Sequence, residues 1–149
     1  MRLFSSIVGV VGAVMLWSVL ALPVRRYDDQ QFSDTFRVFG ELDRTPVLVV
    51  CYLAACLVAT VLVVRLWFGD SSTILGFALV GVAVLAVVWL VRIAADHSVI
   101  WDGVDASGRA TGGYVTAQVA VGTWVGIGGA ALAGLSGLLA GIRGRSGRS

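Results

Sequence analysis

Four polar residues after the third apolar run are the only grouped candidates for metal or acid–base chemistry. Asp96, His97, Asp102 and Asp105 supply three carboxylates and the single histidine of the chain. Zinc sites need several Cys or His ligands at short fixed spacings, and calcium loops need a regular series of oxygen ligands. This spacing matches neither pattern, so we expect a solvated polar loop without a metal and without catalytic activity.

The two cysteines lie together in one apolar run. Cys51 and Cys56 are five residues apart, which places them on different faces of a helix and prevents a disulfide within it. A free cysteine usually behaves as a small apolar residue in a core. We therefore expect both cysteines to have a packing role.

The apolar runs carry no charged residue near their centres. Proton transfer and ion coupling generally use ionisable groups within the membrane, where such groups are costly. A single histidine also excludes a cytochrome with two histidine axial ligands within this chain. The sequence therefore predicts no cofactor and no enzyme activity. The polar residues in the runs can each bond a backbone carbonyl or a neighbour, and they are Thr60, Thr116, Gln118, Thr123 and Ser136.

The composition is typical of a membrane protein. Of the 149 residues, 58% are apolar and 13% are charged, against about 25% charged in soluble domains. The charged residues are grouped between long apolar runs, as in membrane-spanning chains. All basic residues are arginine, which with abundant Val, Ala, Leu and Gly indicates a high-GC bacterium such as an actinobacterium. The formal charge of +2 and the dispersed arginines give no nucleic-acid surface.

Four apolar runs predict an all-α integral membrane protein with about four transmembrane helices in an antiparallel bundle. The first run is longer than the apolar part of a signal peptide, so we expect it to remain as a helix. Only a short polar turn separates the second and third runs, so these form a hairpin. The fourth run exceeds the length that a hydrocarbon core of about 30 Å requires, and must tilt or project. The predicted segments of this single membrane domain, residues 1–149, are helices at about 3–22, 46–68, 73–91 and 114–142 and a flexible basic tail at 143–149.

An even number of crossings places both termini on one side of the membrane. The segments on that side hold five arginines and one carboxylate, and the other connections hold six arginines and eight carboxylates. The arginine-rich tail favours the cytoplasm for the termini, because basic residues near helix ends are retained there. Arg25 and Arg26, directly after the first run, oppose this assignment. We expect a multi-pass protein of the bacterial cytoplasmic (inner) membrane with both termini cytoplasmic.

The segment between the first two runs contains a candidate docking face. Phe32, Phe36 and Phe39 recur at the spacing of one helical face, and Gly40 could end such a helix. The pattern predicts a short amphipathic helix in the first outer loop, lying on the membrane surface or over the protein's own helices. The alternative is a face on which another subunit docks.

The third loop, residues 92–113, is rich in turn signals. Asp102-Gly103 and Ser107-Gly108 are turn sequences, and Val99 and Val104 lie in short extended stretches beside them. The loop therefore predicts a small hairpin outside the membrane.

The fourth run contains two ladders of small residues spaced four apart. Small residues let helix backbones approach closely, which is how membrane helices gain van der Waals contact. Packing within the chain is the default, and a shorter ladder at Ser5, Gly9 and Ala13 makes the first helix the expected internal partner. Two ladders offer more surface than one helix needs, which favours an additional partner or a second copy. One ladder is Gly122, Gly126, Ala130 and Gly134, and the other is Gly129, Ala133, Gly137 and Gly141.

These features favour a non-catalytic accessory or structural subunit of a larger bacterial inner-membrane complex. It would contact other membrane protein subunits and the lipid bilayer through the fourth helix and the polar outer loops. The process served, whether respiration, envelope-lipid transport or secretion, is left open. The alternative is a self-associating small channel or transporter in which the fourth helix lines the pore of a homo-oligomer. A third interpretation is a membrane enzyme that uses Asp or His residues of the outer loops on a lipid-linked substrate.

Overall fold

Four α-helices and five short β-strands make up the described part of the chain. A computed structural model describes residues 2–28, 33–41, 45–68, 73–95, 99–101, 103, 106–109 and 112–146. The helices are α1 (Arg2–Ser18), α2 (Pro46–Trp67), α3 (Thr73–Ala94) and α4 (Val121–Ser146). The strands are β1 (Pro23–Asp28), β2 (Ser33–Arg37), β3 (Val99–Trp101), β4 (Gly113–Val115) and β5 (Gln118–Val119), and a 3-10 turn follows β2 at Val38–Glu41.

The helices form an antiparallel four-helix bundle. α4 packs between α1 and α3, and α2 packs against the other sides of the same two helices. Paired positions fix the direction, because Gly9 of α1 lies against Ser136 of α4 whereas Gly12 lies against Gly129. The antiparallel bundle predicted from the sequence is therefore confirmed.

Glycines allow α4 to approach both of its main neighbours to backbone contact. A Cβ atom on Gly12 would lie 2.6 Å from the backbone nitrogen of Ala133. A Cβ atom on Gly76 of α3 would lie 2.5 Å from the carbonyl oxygen of Gly137. Real Cβ atoms do not come this close to backbone atoms, so these two contacts require glycine.

Hydroxyl groups inside the bundle bond to carbonyls of neighbouring helices. The Ser136 hydroxyl donates to the Ser5 carbonyl at 2.7 Å, which joins α4 to α1. The Tyr52 hydroxyl of α2 donates to the Leu16 carbonyl at 2.8 Å. Leu16 holds one of the last four carbonyls of α1, which no amide of that helix can reach. These bonds therefore satisfy buried polar groups and also align the helices.

The strands and the 3-10 turn lie at one end of the bundle, and we call this region the cap. β1 is the central strand of an antiparallel sheet with the order β2-β1-β5, and β3 pairs with β4. The Val24 carbonyl of β1 accepts the Ala120 N–H at 3.1 Å and the Thr123 hydroxyl at 2.9 Å. The cap is thereby bonded to the first turn of α4.

Several predicted elements agree with the structure. α2 and α3 begin where the sequence indicated and end within three residues of the predicted positions. The hairpin in the third loop is also present, with Val99 opposite Val115. Its second strand is β4, however, and the stretch around Val104 lies outside the described residues.

The first and fourth helices are shorter at the cap end than predicted. α1 ends at Ser18 and not near residue 22, and the amides of Leu20, Ala21 and Leu22 bond three residues back in tight turns that lead into β1. α4 begins at Val121 and not at Tyr114, because the intervening residues pair with β3 and β1. At its other end α4 continues to Ser146, so the first part of the predicted flexible tail is helical.

The prediction of an amphipathic helix in the first outer loop is wrong. The segment instead forms β2, paired with β1, and then the 3-10 turn. Val24, Tyr27 and Val38 are fully buried there. β-Favouring side chains pack against the end of the bundle, and this packing outweighs the helical spacing of the phenylalanines. Phe32 lies outside the described residues. The all-α class is thus corrected to a helical bundle with a small β cap.

Among the residues that the structure describes, three helical segments are long and apolar enough to cross a membrane. They are Pro46–Trp67, Thr73–Ala94 and Val121–Ile142. α1 contributes a shorter apolar stretch, Leu3–Ser18, which is about 24 Å long at about 1.5 Å per residue. The four predicted spans therefore correspond to three helices of full length and one short helix.

We expect Gly12→Ala to lower the free energy of unfolding by about 1–3 kcal/mol, because the added methyl group overpacks the contact between α1 and α4. Gly81→Ala is the matched control, since a Cβ atom there meets nothing within 4 Å. That variant should be neutral or gain up to about 1 kcal/mol from helix propensity. Denaturant unfolding of the purified chain in detergent measures both, and equal effects at the two positions would contradict the close packing.

Candidate functional site

The ladder that contains Gly129 packs entirely within the chain. Its first two members face α1 and its last two face the beginning of α3. Ala133 is fully buried. The contacts are Gly129 with Gly12 and Met15, Ala133 with Gly12, Gly137 with Gly76, and Gly141 with Phe77. This ladder is therefore occupied by two neighbouring helices of the same chain.

The ladder that contains Gly126 is occupied at its cap end. A Cβ atom on Gly122 would lie 2.6 Å from the Pro23 carbonyl oxygen, and Gly126 faces Leu90 of α3. Gly134 is different, because a Cβ atom there would find its nearest neighbour, the Ala83 Cβ, at an ordinary contact distance of 3.7 Å. Packing thus becomes looser toward Gly134, while Ala130 between these glycines is buried.

The first helix is the internal partner that the sequence predicted. Ser5 and Ala13 are buried, and Ser5 accepts the hydrogen bond from Ser136. A Cβ atom on Gly9 would lie 2.7 Å from the Ser136 Oγ. The sequence did not indicate α3 as a second partner, because Gly76 and Gly81 form no ladder in that helix.

An apolar groove lies between α3 and α4, and we call it the α3–α4 groove. It has a volume of about 620 Å³. Ala83, Ala130 and Gly134 contribute little side-chain volume to its lining, and Val84 and Leu135 contribute larger side chains that are exposed. This is the part of α4 that its two helical neighbours do not fill.

A second concave surface, the cap cleft, lies beside the 3-10 turn. It has a volume of about 450 Å³ and is lined by both apolar and polar residues. The Phe39 side chain is 53% exposed, whereas the Phe36 ring packs edge-on against Tyr27 with centroids 5.4 Å apart. Two of the three predicted docking phenylalanines thus share one cleft without forming a helix. The lining residues are Leu20, Thr35, Phe36, Arg37, Phe39 and Gly40.

A buried arginine supports the cap cleft from inside. Arg25 of β1 is 0% exposed, and its guanidinium carbon lies 5.7 Å from the centroid of the Phe36 ring. An arginine over an aromatic face is attracted by the ring quadrupole. Arg25 and its exposed neighbour Arg26 are adjacent arginines after the first apolar run, and the sequence gives no signal that Arg25 is the buried one.

The polar residues that would line a pore under the channel alternative lie in two different environments. Thr123 and Ser136 are buried in α4 and donate to carbonyls of β1 and α1. Thr116 and Gln118 precede α4 and belong to the cap. The sequence-based placement of all four on one membrane helix is corrected accordingly.

Candidate ligands for metals occur mainly in segments that the structure does not describe. Within the described ranges, no group of three or more His, Cys, Asp or Glu side chains could hold a metal ion. Cys51 is half-buried, Cys56 is buried, and both are free thiols in α2. The loop residues considered for metal binding that lie outside the described ranges are Asp96, His97, Asp102 and Asp105.

No known protein family, curated protein or solved structure matches this chain. The fold alone therefore defines its class. It is an antiparallel bundle of three membrane-length apolar helices and one shorter apolar helix, with a small β cap at one end. Its candidate interaction surfaces are the cap cleft and the α3–α4 groove.

We expect Thr123→Val to reduce the free energy of unfolding by about 1 kcal/mol, because it removes a buried hydrogen bond to the Val24 carbonyl without changing side-chain shape. Thr116→Val is the matched control at an exposed position of the cap, and should change stability by less than about 0.5 kcal/mol. Thermal unfolding in detergent compares the two. If both variants were fully stable, the hydroxyl of Thr123 would have no role in holding β1 to α4.

Proposed function

We propose that this chain is a multi-pass protein of the bacterial cytoplasmic membrane. The support comes from the outward faces of α2 and α3, where residues such as Val61, Val64 and Leu85 are exposed along the helices. Apolar surface of this extent is unsuited to water but matches lipid tails. The three long helices supply full crossings, and α1 is a shorter fourth crossing.

In this proposal both termini are cytoplasmic and the cap faces the opposite side. The beginning of α1 and the end of α4 lie at the same end of the bundle, and Arg65 lies in the last turn of α2 at that end. Arginines near helix ends favour the cytoplasmic side. Arg25 weighs less against this orientation than its position in the sequence suggested, because it is buried within the cap.

We expect a cysteine at Ser107 to react with a membrane-impermeant maleimide in intact cells, because Ser107 is exposed at the cap end. A cysteine at Ser149 in the tail should react only after the cells are permeabilised. The unmodified chain, with Cys51 and Cys56 inside α2, gives the background for both variants. The reverse pattern of labelling would show that the orientation is inverted.

Within this membrane we propose that the chain is a non-catalytic accessory subunit of a larger protein complex. The observation that carries this proposal is the cap cleft, where exposed Phe39 lies beside Arg37. Aromatic and arginine side chains are enriched in protein interfaces and at their hot spots. The cleft is attached to the bundle through β1, so a partner would find it already formed. Pre-formed surfaces lose little conformational entropy on binding.

We assign α4 a mainly internal role in this proposal. α1 and α3 occupy the ladder that contains Gly129, and β1 and α3 occupy the cap end of the other ladder, which leaves only the stretch around Gly134 open, at the α3–α4 groove. The partner contact is therefore placed at the cap rather than on the glycines of α4. Respiratory, lipid-transport and secretion complexes all remain candidates for the assembly, and a self-associating channel is the competing proposal.

We expect a mild-detergent pull-down through a C-terminal tag to recover a stoichiometric partner with the unmodified chain. Phe39→Ser should reduce that recovery at least about 10-fold, because truncation of a hot-spot aromatic costs about 2 kcal/mol or more. Phe68→Ser is the matched control, since Phe68 is 85% exposed at the opposite end of the bundle. Mass spectrometry of the recovered material provides the measurement.

Three results would count against the accessory role. The chain recovered alone as a monomer would contradict it directly. A closed oligomer of this chain only, with ion or solute flux in liposomes, would establish the channel instead. Equal losses for Phe39→Ser and Phe68→Ser would remove the cap cleft as the docking surface.

A further inference from the structure

The α3–α4 groove continues toward the cap. A second, smaller apolar cleft lies between the end of α3 and the start of α4, and Ile127 lines both. Val88 lines the groove and Val91, almost one turn further along α3, lines the cleft. Joined at Ile127, the two lie end to end along α3 from Val80 to Ala95, and we call them together the α3–α4 furrow.

The cap-side part of this furrow corresponds in length to one leaflet of a bilayer. Along α3 the lining runs from Val80 to Ala95, which is about 22 Å at about 1.5 Å per residue, and its part from Val84 to Ala95 is about 16 Å. Half of a hydrocarbon core of about 30 Å is about 15 Å. An acyl chain whose headgroup lies at the level of Arg92 would therefore end near Val84.

The cap end of the furrow has the features of a headgroup site. Arg92 is exposed in the last turn of α3, next to Val91, which lines the cleft. Across the cleft, Trp124 of α4 is 65% exposed. Tryptophan rings are common at headgroup level, and arginine attracts anionic headgroups.

We propose that the α3–α4 furrow binds one acyl chain of an anionic phospholipid whose phosphate contacts Arg92. This inference rests on the membrane location proposed above. A lipid tail fits better than a protein helix, because α3 and α4 are in contact along the furrow where Gly134 faces Ala83 and Gly126 faces Leu90, and a helix with side chains is about 10–12 Å wide. A single file of methylene groups can enter the narrow space above Gly134, where a partner helix could touch only the rims.

The test is lipid titration of the full-length chain in mild detergent, followed by native mass spectrometry. The probes are palmitoyl-oleoyl phosphatidylglycerol and its phosphatidylcholine analogue. The unmodified chain should retain one phosphatidylglycerol more tightly than phosphatidylcholine. Arg92→Gln should weaken phosphatidylglycerol about fivefold, which corresponds to about 1 kcal/mol for one arginine at a membrane surface, and should leave phosphatidylcholine unchanged. Arg65→Gln, at the other end of the bundle, is the charge control.

Filling the groove tests the site of the acyl chain. Gly134→Leu should reduce retention of both lipids at least about 10-fold, because its side chain occupies the space of the tail. Gly81→Leu makes the same change where nothing lies within 4 Å of the added Cβ, and should have no effect. Ala131→Leu, at an exposed position in the groove, gives a second filling variant should Gly134→Leu fail to fold.

The outcomes separate this proposal from the membrane location. Alkaline carbonate extraction of the unmodified chain tests insertion on its own, and release of the chain would overturn both proposals. If the chain resists extraction but the filling variants retain lipid normally, the furrow is not a lipid site although the membrane location stands. Equal effects of Arg92→Gln and Arg65→Gln would overturn the headgroup contact. If the unmodified chain formed a dimer without bound lipid and Ala131→Leu abolished that dimer, the groove would be the contact with a second copy of the chain and not a lipid site.

Discussion

The fit of α4 between α1 and α3 is the constraint on which the rest of the structure depends. In a bilayer, helices gain little hydrophobic free energy by associating, because lipid tails are as apolar as leucine. In the membrane location that we propose for this chain, stability must then come from close contact and from hydrogen bonds between helices. Gly12 and Gly76 provide backbone contact on two sides of α4, and Ser136 adds a bond to α1. α2 has few direct contacts with α4 and is positioned through α1 and α3.

The position of α4 also determines where the cap lies. Two donors at the start of α4, the Ala120 amide and the Thr123 hydroxyl, converge on the Val24 carbonyl of β1. β1 in turn holds β2 on one edge and β5 on the other. The buried Arg25 places its guanidinium against Phe36, which lines the cap cleft. A change in the packing of α4 would therefore alter the position of the residues that line the cleft.

The parts of the fold that were predictable are those with local causes. α2 and α3 follow from uninterrupted apolar runs, and the contact of α1 with α4 follows from small residues at matching spacing. The sheet was not predictable, because β1 pairs with β5 more than 90 residues later and no local pattern records that pairing. The spacing of Phe36 and Phe39 suits one face of a helix, yet their cleft arises from a strand followed by a tight turn. The burial of Arg25 likewise depends on distant contacts and has no signal in the sequence.

Small residues close the bundle in some places and leave it open in others. Gly134 and Ala83 contribute too little volume to fill the space between α3 and α4, whereas Val84 and Leu135 extend on either side of it. In a water-soluble core such a space would lose dispersion contacts with no compensation. Within a bilayer the surrounding medium is itself made of chains that can enter the space. A pattern of small residues that indicates helix packing can therefore also create a groove. What fills that groove depends on the medium around the bundle.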